Sequence, residues 1–335
     1  MKILRKILFP IVPIYYGITW LRNIFYNKGV FKSKSYNFPI ICVGNLSVGG
    51  TGKTPMIEYL IRLLKREYSI ATLSRGYKRS TKGFQIANNL STAQTIGDEP
   101  YQLHHKFKEV TIAVDANRQQ GVLKLQSLKK PDVILLDDAF QHRKVKAGLN
   151  VLLTPCNKLY VDDITLPTGD LREPISGAKR ADIIVVTKCD KGISLEERNR
   201  IKNRLNPKSY QEVFFSTINY SEYIFSNKKK VNLSELKATA FTLVTGIANA
   251  TPLVNFLEEE GYRFEHLNFK DHHMFTDAEI KDLKKKQLIL TTEKDFTRLS
   301  GKIDMHKLYY LPIEAQVFES EKFNSLILNY LISSN

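Results

Sequence analysis

The sequence predicts an α/β protein. It has a nucleotide-binding domain of the P-loop NTPase type on a largely parallel sheet, a second, smaller α/β domain towards the C-terminus, and an N-terminal helical segment suited to a membrane interface. Three observations carry this expectation. From residue 40 onwards, short apolar runs alternate with helically spaced stretches. One run, Ile40-Ile41-Cys42-Val43, enters a glycine-rich stretch ending in Gly52-Lys53-Thr54, and another, Asp132 to Leu136, ends in Asp137-Asp138. Ahead of both, the uncharged run Ile7 to Leu21 lies between basic flanks. The expected divisions are residues 1–35, 36–225 and 226–335.

With 335 residues, 43% hydrophobic and 25% charged, the chain has an ordinary globular composition and is long enough for two cores. The net charge of +16 favours an anionic partner, but charge alone does not choose among nucleic acid, phosphorylated metabolites and an anionic membrane face. Cys42, Cys156 and Cys189 form no C-x-x-C pair and two lie in or beside apolar strand-like runs, so buried reduced thiols in a cytosolic setting are the simplest reading, with neither a disulfide framework nor a zinc site in view.

In the first segment, Lys2, Arg5 and Lys6 precede the apolar run, and Arg22, Lys28, Lys32 and Lys34 follow it. The run falls short of the ~20 residues needed to span a bilayer and contains Pro10 and Pro13. No cleavage site of small residues follows, so a removed signal peptide is not expected. Basic flanks with Tyr15, Tyr16, Trp20 and Tyr26 suit a segment lying in the interface of an anionic leaflet. A helix packed on the protein's own core is the other open reading.

The glycine-rich stretch has the build of a phosphate cradle. Strand, loop and helix arrive in that order, with Pro55 in the helix's first turn, where a missing N–H costs least. Glycines at Gly49, Gly50 and Gly52 let backbone N–H groups converge on phosphate oxygens alongside Thr51; Lys53 reaches the β- and γ-phosphates and Thr54 ligates Mg²⁺. Ser47 stands where the generic motif has glycine. Asp137 and Asp138, about eighty residues on, fit a Walker B strand end that binds the same Mg²⁺.

Between these motifs, Ser69–Leu73 and Val110–Val114 read as strands. Arg75 lies beyond the first as an anion-binding candidate, and Asp98, in the polar turn Gly97-Asp98-Glu99-Pro100, reads by itself as a helix cap. Past Leu149–Leu153, the shaped loop Leu166 to Pro174 offers Arg172 and Glu173 to phosphate and metal, or simply as a surface ion pair. After the strand Ala181–Val186, Thr187-Lys188-Cys189-Asp190 resembles the N-K-x-D element with which GTPases read guanine, but with threonine in place of asparagine. Lys228-Lys229-Lys230 reads as an exposed turn. The C-terminal unit then has strands at Phe241–Thr245 and Leu288–Thr292, a helix opened by Thr251-Pro252, the polar turn Asp271-His272-His273, and a helical C-terminus.

Seven stretches together resemble the tetraacyldisaccharide 4'-kinase family of lipid A synthesis: Gly44 to Pro55, Leu73 to Tyr77, Gly97 to Pro100, Asp137 to His142, Leu171 to Pro174, Asp271 to His273 and Thr292 to Asp295. Ser47 is usual in that family. The resemblance implies ATP and Mg²⁺ as cofactors. It implies a lipid disaccharide 1-phosphate as acceptor at its 4'-hydroxyl, giving lipid IVA on the cytoplasmic face of a bacterial inner membrane, with a monotopic or peripheral attachment and no nucleic acid. It pairs Asp98 with His272 as a catalytic dyad and adds Lys53 and Arg172 to the catalytic set, with Thr54, Asp137, Asp138 and Glu173 around the metal. Two other classes stay open on the residues alone: a membrane-surface GTPase, which would prefer GTP and make no lipid product, and a non-catalytic membrane-binding module.

Overall fold

The computed structural model describes Arg5 and residues 7–226 and 229–334; Lys2, Lys6 and Lys228, named above, lie outside the described residues. Helix α1 (Val12–Asn27) is entered through a 3-10 turn. There follow β1 (Ile40–Asn45), α2 (Lys53–Leu64), β2 (Ile70–Ser74), β3 (Gln85–Ile86), α3 (Ala93–Ile96), α4 (Asp98–Lys106), β4 (Thr111–Val114) and α5 (Arg118–Leu128). Next come β5 (Val133–Asp137), β6 (Leu149–Pro155), β7 (Ile183–Thr187), α6 (Leu195–Leu205) and β8 (Glu212–Tyr220). The hairpin β9 (Tyr223–Phe225) and β10 (Lys230–Asn232) leads to β11 (Phe241–Thr245), α7 (Thr251–Glu259), β12 (Phe264–Asn268), α8 (Asp277–Lys284), β13 (Ile289–Thr292) and α9 (Glu293–Leu299). β14 (Leu308–Leu311), β15 (Ile313–Val317) and α10 (Ser320–Ser334) complete the chain.

Two sheets organise these elements. The larger runs β15-β8-β7-β6-β1-β5-β2-β4-β3 and is parallel except at its edges, where β15 and β3 are antiparallel. The smaller runs β10-β9-β14-β13-β11-β12, parallel from β14 to β12 and closed on one side by the hairpin. Both faces of the larger sheet are covered, so its strands are continuous apolar runs. Ile41 and Val43 of β1 pack with Met56 and Leu60 of α2, while their neighbours Ile40 and Cys42 pack with Val122 and Leu125 of α5 on the opposite face. Cys42 and Cys189 are buried free thiols and Cys156 is half-buried.

The C-terminal division differs from the expected 226–335. The smaller sheet already begins at Tyr223, and after β14 the chain returns to the larger sheet. β15 pairs with β8, Ala315 opposite Ile218, and Phe323, Ile327 and Leu331 of α10 are fully buried in the core beneath α2. Each such side chain contributes about 1.5–3 kcal/mol by leaving water, which ties the C-terminus to the first sheet. The physical signature is visible in the residues: Ile313-Glu314-Ala315-Gln316-Val317 alternates with period two, as an edge strand does.

Candidate functional site

The phosphate cradle forms at the carboxyl end of β1. Gly52 precedes α2 in the left-handed region (φ +88°) and Gly49 has φ +103°; no side chain caps the helix, so its first N–H groups stay available to an anion. Ser47 is not among the residues with positive φ; it sits in an antiparallel bridge with Leu171, where a side chain costs nothing, which accounts for its departure from glycine. Val48 N donates to Asp170 O (2.8 Å) and Arg172 N to Leu46 O (2.7 Å), so the 170–172 segment braces the loop. From the other side Thr187 Oγ1 donates to Thr51 O (2.8 Å) and Lys188 Nζ to Gly50 O (2.7 Å). The element that resembles a guanine reader therefore clamps the phosphate loop through Thr187 and Lys188.

A Cβ on Gly44 would lie 2.6 Å from that of Phe140, so glycine there lets the acid-bearing turn press against the loop. Lys53 Nζ lies 3.3 Å from Asn45 Oδ1 and 3.7 Å from Asp138 Oδ1, and Arg172 Nη1 donates to the same Asp138 oxygen at 2.8 Å. Burial works against ionised Asp138, but Lys53 and Arg172 outweigh it and hold its carboxyl below the usual range. Asp137 is the opposite case: burial, reinforced by the Asp138 charge, pushes it up to about 7. Its Oδ1 is buried without a hydrogen-bond partner. A buried carboxylate oxygen left unmatched beside Asp138 and Lys53 fits a divalent cation shared with nucleotide phosphates.

Glu173 departs from the expectation that it faces the metal. It is 2% exposed, and its carboxylate accepts from Asn23 Nδ2 (2.7 Å), Gln141 Nε2 (3.1 Å) and Arg180 Nη2 (2.6 Å). The chain bends at these two residues and their side chains part: Arg172 goes to Asp138, Glu173 to α1.

Asp98 and His272 meet across the two sheets. His272 Nδ1 lies 3.0 Å from Asp98 Oδ2, and Arg298 Nε donates to the same oxygen at 3.1 Å. Asp98 occupies the first turn of α4 without capping it, the N-cap being Gly97. Burial would raise its pKa, but hydrogen bonds from His272 and Arg298 prevail and hold it at about 2. His272 sits in the left-handed region (φ +58°), and its N–H is tied to Gly246 O at 3.1 Å. Its Nε2 lies 3.1 Å from Lys294 Nζ, which pairs with Glu99 at 2.9 Å. Arg298 in turn is held by Asp295 (2.8 Å), whose other oxygen accepts from Gly246 N at 2.8 Å.

Glu99, Lys294, Arg298 and Arg118 were not singled out from the sequence. Arg118 opens α5, is 3% exposed, and donates to Asp115 O at 3.1 Å; its charge also reaches His142, which burial first, then Arg118, Lys144, Arg22 and Arg75, lower to about 4. Buried atoms without partners on Asp115, Arg118, Asp137 and His142 gather at this strand-end region. Only the Glu-Lys-Asp-x-x-Arg spacing of α9, which puts Asp295 and Arg298 one helical turn apart, offered a sequence signal.

A largely parallel sheet with a phosphate loop and a strand-end acid pair, together with a carboxylate–imidazole pair joining the two sheets, defines a phosphotransferase of the P-loop class. The family model for tetraacyldisaccharide-1-P 4'-kinase matches residues 4–332, and this chain belongs to that family. Tetraacyldisaccharide 4'-kinase of Flavobacterium psychrophilum is 50% identical, covering 100% of this chain and 99% of the relative. That of Bacteroides thetaiotaomicron is 44% identical, covering 98% and 93%. A crystal structure of LpxK from Aquifex aeolicus in complex with ATP matches with a TM-score of 0.81 at 30% identity, covering 98% of this chain and 99% of that one.

Proposed function

We propose that this protein transfers the γ-phosphoryl group of ATP to the 4'-hydroxyl of a tetraacyldisaccharide 1-phosphate, giving lipid IVA for lipid A synthesis. The observation that carries the reading is the 3.0 Å contact between Asp98 and His272, a proton-accepting unit contributed by both sheets. Phosphoryl transfer asks the protein for positioning and charge neutralisation. The Gly49–Thr54 loop cradles the phosphates, and Lys53 and Arg172, both drawn towards Asp138, balance charge on the transferred group. Thr54, Asp137 and Asp138 would hold Mg²⁺, which would neutralise phosphate charge there. Asp98, kept ionised, orients His272 and stabilises its cationic form as the pair takes the hydroxyl proton.

The acceptor's lipid character agrees with α1, whose faces are inverted relative to an ordinary surface helix. Its polar face grips the protein: Tyr15 Oη donates to Arg172 O (2.9 Å), Arg22 to Gln141 O (2.9 Å) and Asn23 to Glu173. Its apolar stripe, Ile14, Ile18 and Leu21, is turned outwards. No helix among the described residues is long and apolar enough to cross a membrane, and the stripe suits an interfacial, monotopic or peripheral attachment at the cytoplasmic face of the inner membrane. Between this segment and the 166–170 loop runs a shallow, open groove floored by Leu8, Ile11, Tyr15, Leu166 and Pro167, reaching Val48 of the phosphate loop and edged by Arg5 and Asp170; its largely apolar floor suits an acyl chain laid along it. The test is incubation with γ-labelled ATP and tetraacyldisaccharide 1-phosphate. Label recovered in the lipid supports the reading; label released only as inorganic phosphate, or a requirement for GTP, contradicts it.

A further inference from the structure

Helices α4 and α9 run in opposite directions side by side, and charged pairs join them along their length. Asp98 meets Arg298 and Glu99 meets Lys294 near the start of α4, while at its last residue Lys106 Nζ lies 3.0 Å from Glu293, the first residue of α9. Lys106 makes a second contact that reaches beyond this pair. Its ammonium is 2.7 Å from Oε2 of Glu58, on the phosphate-loop helix α2 five positions after Lys53. Glu58 is 1% exposed and Glu293 8%. Gln102, one turn before Lys106, donates to the other Glu58 oxygen at 3.0 Å, and Arg62 holds Oε2 at 2.9 Å. One ammonium thus joins buried carboxylates from the helix that begins at the phosphate loop and the helix that carries Lys294 and Arg298 onto the Asp98–His272 pair.

We infer that Lys106 is a positioning residue for phosphoryl transfer: by tying Glu58 to Glu293 it sets the Asp98–His272 pair relative to the phosphate loop. The inference rests on the kinase reading above and adds to it the part that spans the two sheets. Glu293 stands in the Thr292-Glu293-Lys294-Asp295 stretch, where Lys294 and Asp295 serve the pair and its supports while Glu293 itself touches neither. A buried charge costs several kcal/mol unless paired, and here Lys106 faces two carboxylates instead of one, an arrangement that fixes two helices through a single group. Burial works against its charge, but Glu58 and Glu293 prevail and raise the ammonium's pKa. A displaced α9 would carry Lys294 and Arg298 with it, and near-ångström errors in such groups cost rate while leaving nucleotide affinity intact.

Lys106→Met keeps the aliphatic stem and removes the ammonium. It should lower kcat for lipid phosphorylation by about tenfold to a hundredfold while leaving KM for ATP within about twofold. The loss should nearly vanish when His272→Ala is already present, because the residue acts through the pair. Since the single change leaves Glu58 facing Glu293, Lys106→Met/Glu293→Gln is made alongside; there Glu58 keeps Arg62 and Gln102, and the same kcat loss is expected. NMR signals of the His272 ring report the pair without any substrate and should shift in both variants. Equal fold-losses with and without His272, or unmoved ring signals in a folded variant, would overturn the inference. A wild-type protein that puts no phosphate on the lipid overturns the kinase reading instead, with the ring signals still deciding whether Lys106 positions the pair.

Discussion

Asp98 and His272 illustrate how context overrides the ordinary use of a residue. An aspartate at the start of a helix usually caps it, yet Asp98 points to the other sheet and meets His272 and Arg298. Its depressed pKa has a consequence for stability. Because the folded carboxyl titrates at about 2 against an ordinary 3.8, it contributes stability that is complete above 3.8 and is lost as pH falls through about 2. Asp98→Asn should therefore lower the melting temperature at neutral pH and flatten its decline across that acid window; a mutant whose acid decline parallels wild type would show that the carboxylate is not so held. At the phosphate loop, Lys53→Ala and Thr54→Ala should each cut phosphoryl transfer by about a hundredfold or more with little change in melting temperature, because neither side chain packs in the core. Steady-state transfer near the wild-type rate in either variant would contradict the loop's role. The loop and the acid pair were legible in the sequence because their chemistry is local: glycines, Lys53 and Thr54 are contiguous, and Asp137 and Asp138 end one strand. Glu173 was misread for the same reason, since adjacency to Arg172 says nothing of which side it faces.

At the scale of elements, α1 reconciles the two readings its sequence left open. It packs on the protein through Tyr15, Arg22 and Asn23 and turns Ile14, Ile18 and Leu21 outwards. Removing residues 1–35 would also strip partners from Arg172, Gln141 and Glu173, so truncation mixes docking with damage to the site. Ile14→Ser/Ile18→Ser/Leu21→Ser changes only the outward stripe. Each exposed aliphatic side chain that enters an apolar phase is worth on the order of 1–2 kcal/mol, so the triple variant should bind anionic liposomes at least about a hundredfold more weakly. KM for ATP should stay unchanged. Undiminished co-sedimentation with liposomes would assign the stripe another purpose. Periodicity alone could not orient this helix, because an apolar stripe reads the same whether it faces a core or a bilayer.

The whole molecule is two largely parallel sheets joined by a chain that leaves the first at β8, builds the second, and returns through β15 and α10. The interior strands of the first sheet were legible as apolar runs buried on both faces, while the two-residue edge strand β3 was not read. The return was legible only in part: the period-two run of β15 marks an edge strand, but its partner, β8, is set by a long-range pairing that no local pattern states. For the same reason Asp98 and His272, 174 positions apart, could be paired only through the family resemblance. The architecture makes the proposed mechanism one of coupling: one sheet brings the phosphate loop and Asp98, the other brings His272, Lys294 and Arg298, and the proposed transfer needs both.

The measurement that tests this most directly is a double-mutant cycle on kcat for transfer from ATP to tetraacyldisaccharide 1-phosphate, using Asp98→Ala, His272→Ala and the two combined. If the pair takes the proton as a unit, each single change lowers kcat by about a hundredfold or more, KM for ATP stays nearly constant, and the combined variant is scarcely slower than either. Losses that multiply in the combined variant, or a single variant that keeps its kcat, would contradict it.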